Sequence, residues 1–95
     1  MFVVLLKFSK QKDLVSQFLE AHKKWIKHGF DDGVFLLAGS LQPGLGGSII
    51  AHNVSHSALQ TRLDKDPFVQ ENIVTAEILE IEPSITDARL AFLQD

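Results

Sequence analysis

Ninety-five residues, 45% apolar and 22% charged, describe one folded domain spanning 1–95, just large enough for a single core. A net charge of −3 excludes a general attraction to nucleic acid or to an anionic membrane. The lack of cysteine excludes disulfides, thiolate metal sites and cysteine nucleophiles; it suits a reducing compartment, and the expected location is the cytoplasm.

Met1 to Leu6 is apolar but short, with no basic residues before it, so it reads as a strand rather than a signal peptide. No stretch approaches the length of a membrane span. In a strand over Phe2–Phe8, Phe2, Val4, Leu6 and Phe8 face one way and Val3, Leu5 and Lys7 the other. Ser9 or Asp13 is placed to cap a helix that runs to about Gly29. Its apolar stripe is Leu14, Val15, Phe18, Leu19, Trp25 and Ile26, with Lys12, Glu20, Lys23, Lys24 and Lys27 opposite as a solvated face. His22 falls near the middle of the apolar stripe, the least expected residue in the chain. Gly29 is expected to end the helix and Asp31-Asp32-Gly33 to turn the chain.

Two apolar runs, Val34–Leu41 and Ser48–Ile50, flank Gln42-Pro43-Gly44-Leu45-Gly46-Gly47, the pattern of a hairpin with a longer loop. The first run is apolar almost without interruption, which predicts a strand buried on both faces. Ser55 can cap a second helix over His56–Lys65, with Ala58, Leu59 and Leu63 inward. That helix stops at Asp66-Pro67, because a residue before proline disfavours helical geometry. Pro67 then suits the first position of a new helical turn capped by Asp66. Ile73–Ile81 reads as a last strand closed by Pro83. Ile85, Ala88, Phe92 and Leu93 would share one side of a short C-terminal helix, so that 84–95 forms a docking segment.

The order βαββαβ predicts an α+β, ferredoxin-like fold: a four-stranded antiparallel sheet with both helices on one face. The other face would expose Val3, Leu5 and half of the Val34–Leu41 run, more apolar surface than a monomer normally shows. The expected partner is a second copy of the chain, packed through the open sheet faces.

Chemistry has few candidates. His22 reads as a general acid/base, since imidazole both takes and releases protons near neutrality, or as a core histidine bonded to a backbone carbonyl. Asp66 reads as the partner that orients an imidazole, or simply as the cap before Pro67; a capping carboxylate retains a second oxygen, so the roles are compatible. Gly39 and Ser40, at the end of an apolar strand, are candidate pocket-lining, ligand-binding residues; without a G-x-S-x-G elbow Ser40 is not a nucleophile. The Gly44–Gly47 loop lacks the helix and lysine of a phosphate loop and serves hairpin geometry. His52 and His56, four apart but outside any H-E-x-x-H context, carry little metal signal. Nothing in the sequence requires a cofactor or a metal.

The apolar first strand, His22 in a long first helix, Leu37-Ala38-Gly39-Ser40-Leu41, the Pro/Gly loop after it and Asp66-Pro67-Phe68 after the second helix together resemble the YciI-like family (YCII-related domain). The resemblance covers the chain to its last strand. It implies a dimeric ferredoxin-like fold of the α+β barrel group, with His22 and Asp66 as an active-site pair. The expected function is a small cofactor-independent enzyme doing acid/base chemistry on a small organic substrate, of isomerase, lyase or hydrolase type. The alternative is a non-catalytic dimeric module that binds a small molecule or a protein.

Overall fold

The computed structural model describes residues 1–94. Strand β1 (Phe2–Phe8) leads through a 3-10 turn (Lys12–Leu14) into helix α1 (Val15–Asp31). Strands β2 (Phe35–Leu41) and β3 (Gly46–Ala51) form the hairpin. Helices α2 (His56–Leu63) and α3 (Pro67–Gln70) precede strand β4 (Val74–Glu80), and a 3-10 stretch (Ala88–Gln94) follows. The four strands make one antiparallel sheet in the order β2-β3-β1-β4. This is the βαββαβ architecture expected.

The alternation of β1 sets the two faces. Phe2, Val4 and Leu6 are buried with Ile49 and Ala51 of β3 and Val74 of β4. Trp25 of α1, Leu59 and Leu63 of α2 and Phe68 of α3 close over them in one core. The opposite face carries Val3, paired across to Ile50 and Leu79, and Leu5, paired across to Ser48 and Glu77. Leu79 is 45% exposed and Leu37 52%, so this face presents apolar side chains to solvent.

Several local expectations are corrected. Gly29 does not end α1; it lies inside the helix, buried against Phe35, where a Cβ would stand 2.1 Å from the ring. The helix ends two residues later in a Schellman motif: Gly33, at φ +74°, donates to the Phe30 carbonyl and Val34 to that of Gly29. Neither Ser9 nor Asp13 caps α1. The Ser9 hydroxyl instead accepts from the Gln11 amide and donates to the Asn72 carbonyl, closing the corner between β1 and β4. Helix α2 stops at Leu63 rather than Lys65, and its Ala58 is exposed. Ser55 does cap it, accepting from the Ala58 amide at 3.1 Å.

The Val34–Leu41 run is not buried on both faces. It forms an edge strand of the sheet, and Leu37 to Ser40 are exposed in the single chain. A bulge lies between Phe35 and Leu37: Phe35 pairs with Ala51, whereas Leu37 pairs with Ile50, leaving Leu36 as the extra residue. The expected C-terminal helix is a 3-10 stretch with no buried residue, and Ile85 is 92% exposed. Phe92 meets the His52 ring at 5.6 Å. Arg89 bonds Asp87 through its side chain and then its amide, which holds the Asp87 carboxyl below the ordinary aspartate range.

Candidate active site

The site is built by one turn of α1 and one tripeptide. Asp66-Pro67-Phe68 opens α3: Pro67 occupies its first turn, and Asp66 Oδ1 accepts from the Phe68 amide at 3.0 Å. The same oxygen accepts from His22 Nδ1–H at 2.7 Å. Asp66 is fully buried, and the His22 side chain is 12% exposed. The cap and the imidazole partner are therefore one carboxylate oxygen. Asp66 Oδ2 is buried without a hydrogen-bond partner in the structure.

Two aromatic rings fix the imidazole from its faces. The Phe68 ring stacks on it at 3.9 Å, 4° from parallel, and the Trp25 ring lies 5.9 Å away at 23°. Trp25 is one helical turn from His22 and is itself anchored, its Nε1–H donating to the Arg62 carbonyl at 2.9 Å. Arg62 in turn reaches Asp32 at 2.8 Å, tying the end of α2 to the end of α1. With Nδ1 committed to a carboxylate, the tautomer is set and Nε2 is the nitrogen left to exchange a proton.

His22 lines a cavity of about 520 Å³ between α1 and the sheet. Much of its sheet side is small, Ala38, Gly39 and Ser40 of β2 and Gly46, Gly47 and Ser48 of β3, beside the larger Leu6, Ile49 and Val74. The helix side supplies Leu19 and Ile26, and the rings of Phe8, Phe30 and Phe68 also border it. Such a volume, mostly apolar with a few polar groups, suits a small organic ligand. Gly39 and Ser40 thus stand in the same cavity as His22, while Asp66 lies behind the imidazole and outside the lining.

Lys23 lies on the solvated basic face, 60% exposed, and also borders this cavity beside His22. A helical wheel sends it to solvent, yet a long aliphatic stem can cover apolar surface and return its ammonium to a rim. Phe68 was legible only as part of the Asp-Pro-Phe string. The other histidines stand apart: His56 packs edge-on against Phe2, His52 meets Phe92, and His28 is exposed. Among the described residues no group of three His, Cys, Asp or Glu side chains is placed to hold a metal ion, and no helix is long and apolar enough to cross a membrane.

Fold and site together describe a ferredoxin-like α+β protein with a buried His–Asp pair at the wall of an apolar cavity. Neither a family model nor a curated protein matches the chain. Among solved structures it is similar to the 5-chloro-2-hydroxyhydroquinone dehydrochlorinase TftG of Burkholderia phenoliruptrix AC1100, in complex with 2,5-dihydroxybenzoquinone. The TM-score is 0.74 at 12% identity, over 87% of this chain and 94% of that one. At that identity the likeness is one of fold.

Proposed function

We propose that the chain is a YciI-like acid/base enzyme acting on a small organic substrate, with His22 as the proton-transferring residue and Asp66 as its partner. The observation that carries this is the 2.7 Å bond from His22 Nδ1 to buried Asp66, made by an imidazole that also lines a cavity. Nε2 takes a proton from a hydroxyl or an activated carbon of the bound substrate. Asp66 stabilises the imidazolium that results. The proton is then returned to another substrate atom, completing an isomerisation, or leaves with an expelled group, completing an elimination. The neighbour's dehydrochlorinase name favours the second, on a hydroxylated ring. Gly39 and Ser40 contact the ligand from the sheet side.

The working unit in this reading is a homodimer. Val3, Leu5, Leu37, Ile50 and Leu79 supply an apolar open face, and packing two such faces together removes it from water.

The test is chloride release and solvent-proton exchange on 5-chloro-2-hydroxyhydroquinone and related halogenated, hydroxylated rings. Wild type accelerates the reaction, and His22→Gln lowers the rate by about 10²–10⁴-fold, the usual contribution of a positioned acid/base. Binding by wild type without turnover of any ring sinks the enzyme reading in favour of the non-catalytic module.

A further inference from the structure

The polar groups of the cavity are unevenly charged. Among the described residues no Asp or Glu lines it, and Lys23 is the cationic residue at its border besides the titratable His22. The nearest acidic partner of Lys23 is Glu20, at 3.7 Å and one turn back. Both side chains are well exposed, 60% and 83%, so that pair is loose and screened and leaves the ammonium available. The protein as a whole is negative, so an anion gains nothing from its overall field. Phe8, Phe30 and Phe68 present ring surfaces to the same space, which suits a flat ligand.

We propose that Lys23 is the anion-recognising residue of this cavity, and that its ligands are small planar rings carrying an ionised oxygen, phenolates or hydroxyquinone anions. This deepens the acid/base reading and rests on it. The ring lies among the phenylalanines, its ionised oxygen reaches the Lys23 ammonium at the rim, and its reacting atom faces His22. A cation at the rim offsets the charge of the bound anion and attracts the further negative charge that spreads into the ring when His22 takes a proton.

Calorimetric titration with two rings of similar size tests this. 2,5-Dihydroxybenzoquinone is a vinylogous acid, ionised at neutral pH; hydroquinone is neutral there. Wild type, Lys23→Met, Lys24→Met and His22→Gln are compared at low and high salt. Lys24→Met removes the same charge from the next residue, which does not line the cavity. The expected result is a five- to tenfold weaker affinity of Lys23→Met for the quinone anion, on the order expected for one partly exposed charge pair. Hydroquinone affinity stays unchanged, Lys24→Met resembles wild type, and added salt weakens anion binding in wild type but not in Lys23→Met. Equal effects of Lys23→Met and Lys24→Met, or none from either, overturn the assignment of Lys23 alone. If neither ring binds wild type, the acid/base reading on hydroxylated rings falls with it. Turnover lost in His22→Gln while Lys23→Met binds the anion as wild type does retains that reading and discards this one.

Discussion

The Phe68 ring lies flat on the His22 imidazole, with centroids 3.9 Å apart and planes 4° from parallel, two residues after the aspartate that holds the same imidazole by its edge. Orientation and face packing thus come from a single short segment. The imidazole cannot rotate about its Cβ–Cγ bond without losing both contacts at once.

Phe68→Leu keeps most of the apolar volume but removes the ring face. The His22 ring protons, shielded by the stacked phenyl, should move downfield in the proton NMR spectrum. Stability should fall by no more than about 1.5 kcal/mol, the usual ceiling for a hydrophobic swap that roughly keeps volume. Phe68→Ala empties a buried site and should cost about 3–5 kcal/mol in urea denaturation. Unmoved His22 protons in Phe68→Leu would contradict the stack.

Asp66→Ala removes the acceptor of two donors, the Phe68 amide and His22 Nδ1–H. The lost cap contributes about 1 kcal/mol, and each donor left buried and unpaired about 1–3 kcal/mol more. Asp66→Asn retains a carbonyl oxygen for the cap and should cost less than half as much. Because the amide no longer attracts the Nδ1 proton as a carboxylate does, the ring nitrogens of His22 should shift in long-range ¹H–¹⁵N spectra. Equal losses of stability in the two variants would show that the carboxylate charge facing His22, absent from both, accounts for Asp66, and that the capping bond contributes little.

Gly29→Ala places a methyl inside the Phe35 ring, which lies 2.1 Å from the ideal Cβ position. Overpacking of this kind costs about 1–3 kcal/mol despite the better helix propensity of alanine. Phe35→Leu added to Gly29→Ala should recover part of that loss, a non-additivity visible in a double-mutant cycle. A neutral Gly29→Ala would mean that α1 can lift away from β2 at no cost.

Leu37→Glu and Leu79→Lys each put a charge on the open sheet face without touching the core of the single chain. If two copies pack through that face, each variant alone should sediment as a monomer while keeping the wild-type helical circular dichroism. A wild-type protein that already sediments as a monomer removes the homodimer from the functional reading.

The order of elements was legible because each boundary is marked by local chemistry. Ser55 caps α2, Asp66-Pro67 separates α2 from α3, and glycines turn the hairpin. The His22–Asp66 contact was not, since 44 residues separate the two and helical periodicity places only one of them. Gly29 misled because a glycine near the end of a periodic stretch suggests a stop, whereas here the missing Cβ admits the Phe35 ring. The continuous apolar run of β2 suggested burial on both faces; an edge strand over a cavity leaves half of it open. That Lys23 also borders the cavity was not legible, because periodicity locates a Cα, not the end of a flexible side chain.

The bulge at Leu36 decides whether the protein has a hollow at all. Residues opposite each other across antiparallel strands share a face, so the register Ala38↔Ile49 and Ser40↔Gly47 turns alanine and serine toward α1, while Leu37 and Leu41 turn away. With strict alternation from Phe35 and no extra residue taken up, the parity would reverse. Leu37 and Leu41 would then point at α1 and plug the space that now borders His22. One residue of slack in an edge strand thus separates a solid core from a chamber with an imidazole in its wall.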